Sequence, residues 1–219
     1  MATPERNGCP PVFDAAFRAQ LDALFRWRRD VRRFRPDPVP PELLDGLLER
    51  AALSPSVGYS QPWRFVLVES PPRRAAVRDD FLRCNADALA DYHGERARLY
   101  AGLKLEGLDQ APVHLAVFTD HGTPTGHGLG RRTMPETLDY STAMAIFALW
   151  LAARAQGIGV GWVSILTPEG IAGILDVPET WSLTAYLCLG YPAEEDDTPV
   201  LARVGWEEKD GEAGRLVRR

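Results

Sequence analysis

Apolar positions recur along the chain at two periods and predict long helices interleaved with a few short strands. Over residues 15–29, Phe17, Leu21, Leu24 and Phe25 fall on one stripe at helical spacing, behind Asp14, a side chain suited to N-capping. Pro36, Pro38 and Pro40 impose an extended connection, and Pro41 suits the first turn of a second helix reaching about Leu53. Residues 54–62 form a loop of small and polar groups, and residues 63–68 read as the first strand. Residues 72–107 read as helical with a break near His93 and Gly94, and residues 113–119 as a second strand. Residues 137–156 give the strongest helix, apolar nearly all round, which marks a buried central helix or one at a subunit interface. A third strand over residues 161–166, a short helix over 168–175 and a fourth strand over 182–189 follow.

This alternation predicts an α+β fold, one sheet with helices around it, built as a single domain over residues 13–219. Residues 1–12 read as a flexible arm, and the polar stretch from about residue 192 as a C-terminal extension with no core of its own. Residues 120–136 are dense in glycine and proline, carry Arg131 and Arg132, and read as a mobile lid over a ligand.

Composition narrows the class. The 219 residues suffice for one substantial core, and 45% hydrophobic with 25% charged residues is ordinary for a soluble globular domain. The net charge of −5 argues against a nucleic-acid binder, where a basic surface is needed. No apolar run is long enough to span a bilayer and no signal segment opens the chain, so a cytoplasmic location is expected. Cys9, Cys84 and Cys188 are widely spaced and show no metal-ligand pattern, and the four histidines form no ligand motif, so no metal is expected.

Against that acidic balance, residues 26–35 hold six arginines and a single carboxylate, Asp30. Arginine grips phosphate well, because its planar fork donates several hydrogen bonds at a permanent positive charge. If the run is helical, Arg28 and Arg32 lie one turn apart on one face. Asp30 is either a local neutraliser or a placed functional group. There is no P-loop, no nucleophile elbow around Ser164, and Gly126-His127-Gly128-Leu129-Gly130 lacks the strand-to-helix setting of a dinucleotide fingerprint. What remains is a layout for a phosphorylated, flat, partly apolar molecule. A flavin mononucleotide meets that description, although these features alone do not single it out.

The segments Arg28-Arg29-Asp30-Val31-Arg32, Pro55-Ser56, Gln61-Pro62-Trp63-Arg64-Phe65-Val66, Gly159-Val160-Gly161-Trp162-Val163-Ser164 and Leu187-Cys188-Leu189-Gly190-Tyr191 resemble, in this order, the nitroreductase-like flavoprotein family. The likeness covers roughly residues 20–206. Asp30 and Tyr59 stand where most of that family has serine and asparagine, and these departures resemble the branch whose members make 5,6-dimethylbenzimidazole.

The resemblance implies a mostly antiparallel sheet flanked by helices, in a homodimer with flavin sites at the subunit interface. It implies an enzyme that binds reduced FMN and fragments it with dioxygen, so that the flavin is substrate, with no metal. The products would be 5,6-dimethylbenzimidazole, for the lower ligand of cobalamin, and D-erythrose 4-phosphate. A separate NAD(P)H-flavin reductase would supply the reduced FMN. Carried over position by position, Arg28, Arg29 and Arg32 would hold the phosphate, with Asp30 and Val31 in the same FMN-binding stretch. Ser56, Leu105 and Ser164 would contact the flavin, and Asp30 and Ser164 would do the chemistry. Asp30 could take a proton or accept a hydrogen bond from a ribityl hydroxyl, and Ser164 on the third strand could bond the ring edge. Trp162 and Tyr59 are equally candidates for ring walls or for core. The competing readings are an FMN-dependent NAD(P)H nitro- or quinone reductase and a non-catalytic flavin-binding protein.

Overall fold

The computed structural model describes residues 10–103, 107–211 and 214–219. Besides one 3-10 turn at Val57–Tyr59, they include eight α-helices: α1 (Ala15–Trp27), α2 (Pro41–Ala51), α3 (Pro71–Ala90), α4 (Gly94–Gly102), α5 (Gly107–Gln110), α6 (Thr137–Ala155), α7 (Pro168–Leu175) and α8 (Val200–Arg203). The strands are β1 (Trp63–Leu67), β2 (Val113–Asp120), β3 (Gly159–Val163) and β4 (Trp181–Gly190). They form one sheet in the order β1-β2-β4-β3, with every neighbouring pair antiparallel. The α+β expectation is met.

The sheet has helices on both faces, and β2 shows why. Successive side chains of a strand point to opposite faces. Val113, Leu115 and Val117 enter a core with Leu44 and Leu47 of α2 and Ile146 and Leu149 of α6. Ala116 and Phe118 enter a second core with Val77 and Phe81 of α3 and Ile171 and Leu175 of α7. Burial on both faces explains why β2 reads as a continuous apolar run rather than an alternating one.

Proline at the first turns of α2, α3 and α7 starts these helices without a side-chain cap, whereas α1 is capped by Asp14, whose Oδ1 accepts from the Phe17 N–H at 2.8 Å. The long helical stretch predicted for residues 72–107 breaks between α3 and α4, next to Gly94.

α6 carries two apolar faces. Leu138, Ala145, Ile146, Leu149 and Ala153 are buried within the chain, while Tyr140, Met144 and Phe147 on the other side are exposed. α1 buries none of its residues, and Phe17, Phe25 and Trp27 are also exposed. These faces form a broad apolar surface of the kind that marks an interaction site.

Candidate active site

The arginine segment is placed by the edge of β3. α1 ends at Trp27, and Arg28 is already extended, with φ −71° and ψ 109°. Beyond it the backbone joins the sheet: Asp30 bridges Val160 in parallel, and the Val31 N–H donates to the Val160 carbonyl at 3.0 Å. The helix expected to run to Arg29 is thus two residues shorter, because hydrogen bonds to β3 replace the next helical ones. The expected one-turn pairing of Arg28 with Arg32 on a helix face does not form. In an extended segment alternate residues share a side, and the contact formed is Asp30 with Arg32, at 3.2 Å.

The Asp30 carboxylate is a connector. Its Oδ1 accepts the Trp162 backbone N–H at 2.8 Å, and its Oδ2 accepts from Arg32 Nε at 3.2 Å. An ionised carboxylate offers about four lone-pair sites, so about two remain for a ligand hydroxyl. Close approach to β3 also requires a strand without side chains at that point. A Cβ on Gly161 would lie 2.2 Å from the Val31 carbonyl oxygen, and one on Gly159 2.8 Å from Val31 Cγ2.

The arginines take different partners. Arg28 stacks over Trp150, 5.0 Å from the ring centroid, and its buried Nε has no hydrogen-bond partner. Burial, reinforced by the neighbouring Arg29 charge and partly opposed by Asp30, pushes its pKa below the ordinary arginine value. Arg29 donates through Nε to the Asp197 carbonyl at 2.8 Å and through Nη1 to the Arg28 carbonyl at 2.9 Å, so it fastens the C-terminal stretch. Arg29, Asp30, Arg32, Arg33, Leu103 and Arg203 line a cavity of about 390 Å³. Sequence reasoning missed Arg203, which pairs with Asp196 at 3.3 Å, and no local motif around it would have found it.

Residues 54–62 carry Ser56, whose Oγ accepts the Gln61 N–H at 3.0 Å and keeps its own proton to donate. Tyr59 and Gln61 hold positive φ of 56° and 47°, a strained conformation for non-glycine residues of the kind that clusters at ligand sites, while Gly58 between Val57 and Tyr59 takes φ 58° freely. Residues 121–136 pack on this turn, and a Cβ on Gly130 would lie only 2.6 Å from Val57 Cγ2. Arg131 of that loop has a buried Nη1 without a hydrogen-bond partner, while Arg132 is exposed. Tyr59 is 77% exposed, which removes it from this chain's core, and Trp162 is half-buried against Trp150.

Ser164 is not on the third strand. β3 begins two residues earlier than expected and ends at Val163, leaving Ser164 exposed in the link to α7. The early start follows from pairing of Gly159 with Gly190, and the early end from Pro168, which opens α7. Leu105 lies outside the described residues. Among the described residues no group of three or more histidine, cysteine, aspartate or glutamate side chains is placed to hold a metal ion.

The cavity at the sheet edge brings together four arginines, Arg29, Arg32, Arg33 and Arg203, with the carboxylates of Asp30, Glu194 and Asp196, and it suits an anionic ligand such as a phosphate. Arg28, Ser56 and Ser164 are not among its lining residues. The chain matches the nitroreductase family over residues 25–191 and belongs to that family. Within it, the chain is 58% identical over 199 residues to the 5,6-dimethylbenzimidazole synthase of Rhodospirillum rubrum, covering 91% of this chain and 94% of that protein. It is 50% identical over 196 residues to the enzyme of the same name from Rhodobacter capsulatus, covering 90% of this chain and 95% of that protein. In fold it is similar to an iodotyrosine deiodinase solved with FMN and 3-iodo-L-tyrosine, with a TM-score of 0.68 at 24% identity, over 80% of this chain and 91% of that one.

Proposed function

We propose that this chain is a 5,6-dimethylbenzimidazole synthase. It consumes reduced FMN and dioxygen and yields 5,6-dimethylbenzimidazole, for the lower ligand of cobalamin, and D-erythrose 4-phosphate. The observation that carries this reading is the high identity to two synthases over nearly the whole chain. Asp30 and Tyr59 support it over an FMN-dependent NAD(P)H nitro- or quinone reductase, because both depart from the usual family pattern at the site.

The residues present fit the flavin. The unpartnered buried Nε of Arg28 suits an anionic group, since a buried donor left unmet is costly. Arg28, Arg29 and Arg32 hold the phosphate, Asp30 and Val31 follow the ribityl chain, and Ser56, Leu105 and Ser164 contact the ring. When bound, reduced FMN supplies the carbon skeleton and the electrons that dioxygen takes up. Asp30, fixed by the Trp162 N–H, accepts a hydrogen bond or a proton from a ribityl hydroxyl. Ser164 donates to the ring edge. Residues 121–136 act as a lid that excludes water, with Arg131 and Arg132 closing on the ligand or on a second subunit.

The exposed apolar faces of α1 and α6 support a homodimer with the flavin sites at the interface. A separate NAD(P)H-flavin reductase supplies the reduced FMN. Free Cys84 and Cys188 fit a reducing cytoplasm, and among the described residues no helix is long and apolar enough to cross a membrane.

The test is to mix the purified protein with chemically reduced FMN in air and separate the products by chromatography. 5,6-Dimethylbenzimidazole is expected. Recovery of reoxidised FMN alone would overturn the reading, and rapid NAD(P)H consumption with a nitroaromatic would favour the reductase.

A further inference from the structure

Ser164 sits in a short link whose two ends are held by carboxylates from distant parts of the chain. On the strand side, the Trp162 N–H donates to Asp30 Oδ1 at 2.8 Å. On the helix side, the Thr167 N–H donates to Oδ2 of Asp80, from α3, at 2.7 Å. Thr167 is the N-cap of α7, but its hydroxyl makes no cap bond to its own helix. It turns instead to α3, accepting from Arg83 Nη2 at 2.8 Å and lying 3.3 Å from Cys84 Sγ.

Asp80 is only 8% exposed, and a carboxylate so buried is retained at a cost unless its oxygens are met. They are met here. Arg83 Nη2 donates to Oδ1, and the Cys84 thiol lies 3.8 Å from Oδ2. Burial disfavours the charge, yet the bonds from Thr167 and Arg83 outweigh it and hold the Asp80 carboxyl below the usual range. The link is therefore tied rigidly at both ends, while Ser164 between them is exposed.

We propose that Asp80 is a positioning residue for the reaction, acting through Thr167 to hold the Ser164 hydroxyl at the flavin ring edge. This rests on the reading that Ser164 meets the flavin. It makes Asp30 and Asp80 two halves of one clamp, one at the edge of β3 and the other on α3.

The test compares the wild type with Asp80→Ala, Asp80→Asn and Arg83→Ala. Arg83 is 58% exposed at its side chain, so its truncation tests the clamp even if Asp80→Ala fails to fold. Two quantities are read at saturating flavin: 5,6-dimethylbenzimidazole formed per reduced FMN oxidised, and the visible absorption spectrum of bound oxidised FMN. In Asp80→Ala the yield is expected to fall at least fivefold and the spectrum to move to that of Ser164→Gly, with the FMN dissociation constant within about twofold of wild type. Arg83→Ala should show the same changes at smaller size, and Asp80→Asn, which keeps an acceptor for the Thr167 N–H, should restore most of the yield. Wild-type yield and spectrum in a folded Asp80→Ala, or in Arg83→Ala where Asp80→Ala does not fold, would overturn the proposal. If the wild type binds FMN but makes no product, the proposed function fails, and the spectrum alone then decides the positioning role: an unshifted Asp80→Ala spectrum overturns it.

Discussion

The Val31 carbonyl oxygen occupies the space a side chain on Gly161 would need, 2.2 Å from an ideal Cβ. This contact lets the segment bearing Arg28, Asp30 and Arg32 lie against β3 and puts the Trp162 N–H within reach of Asp30. Gly161→Ala must push that segment away from the strand. We expect a loss of about 1–3 kcal/mol from overpacking, read as a lower urea midpoint, together with at least tenfold weaker FMN binding. Wild-type flavin affinity in this variant would show that the segment does not carry the site.

Arg28 joins two roles, a stack on Trp150 and an Nε without a partner. Its truncation to alanine should weaken FMN binding by about 1.5–3 kcal/mol, the range for a charge-assisted hydrogen bond. Lysine should recover only part of this, because it cannot reproduce the planar stack and fork together. Titration by flavin fluorescence decides the matter, and an unaltered dissociation constant in Arg28→Ala would contradict a phosphate role.

Much of the fold was legible because its signals are local. Helical stripes, proline-started helices and the doubly buried β2 are all written in short-range patterns. The site was legible only in part. The run of arginines is plain in the sequence, but its conformation depends on a strand some 130 positions later, as the Val31 bond to Val160 shows. Local propensity therefore carried α1 too far and paired Arg28 with the wrong neighbour. The apolar residues that continue beyond Ser164 point to a strand, whereas Pro168 and the Asp80 bond to Thr167 turn the chain into α7. Asp80 itself lay in a charged helical stretch with nothing local to distinguish it from its solvated neighbours.

Asp30 is held as a hydrogen-bond acceptor from Trp162 and Arg32, and asparagine can preserve the first of these bonds. Asp30→Asn should therefore fold and bind FMN while its product rate falls by about 10²–10⁴-fold, the range for loss of a general base. Ser164→Gly should likewise keep the flavin and lose product, since the link it occupies is anchored by backbone bonds rather than by its own hydroxyl. Product quantified per reduced FMN consumed checks both. Undiminished yield in either variant removes that residue from the chemistry.

His114 on β2 and Tyr186 on β4 form a buried pair, with His114 Nδ1 2.9 Å from the tyrosine oxygen. Burial, aided by the charge of Arg74, lowers the His114 pKa from 6.5 to about 4. The folded-state value lies below the unfolded one, so between those limits the unfolded chain takes up a proton that the native protein does not. Stability is then complete above about pH 6.5, falls as the pH drops through this window, and levels off below about pH 4 so far as this residue is concerned. The linkage amounts to about 2 kcal/mol between pH 7 and pH 5. Urea unfolding at those two pH values should show the loss in the wild type and a much smaller one in His114→Gln, which keeps a polar partner for Tyr186 without a titrating group. Equal pH dependence in the two proteins would mean that His114 is not the group responsible.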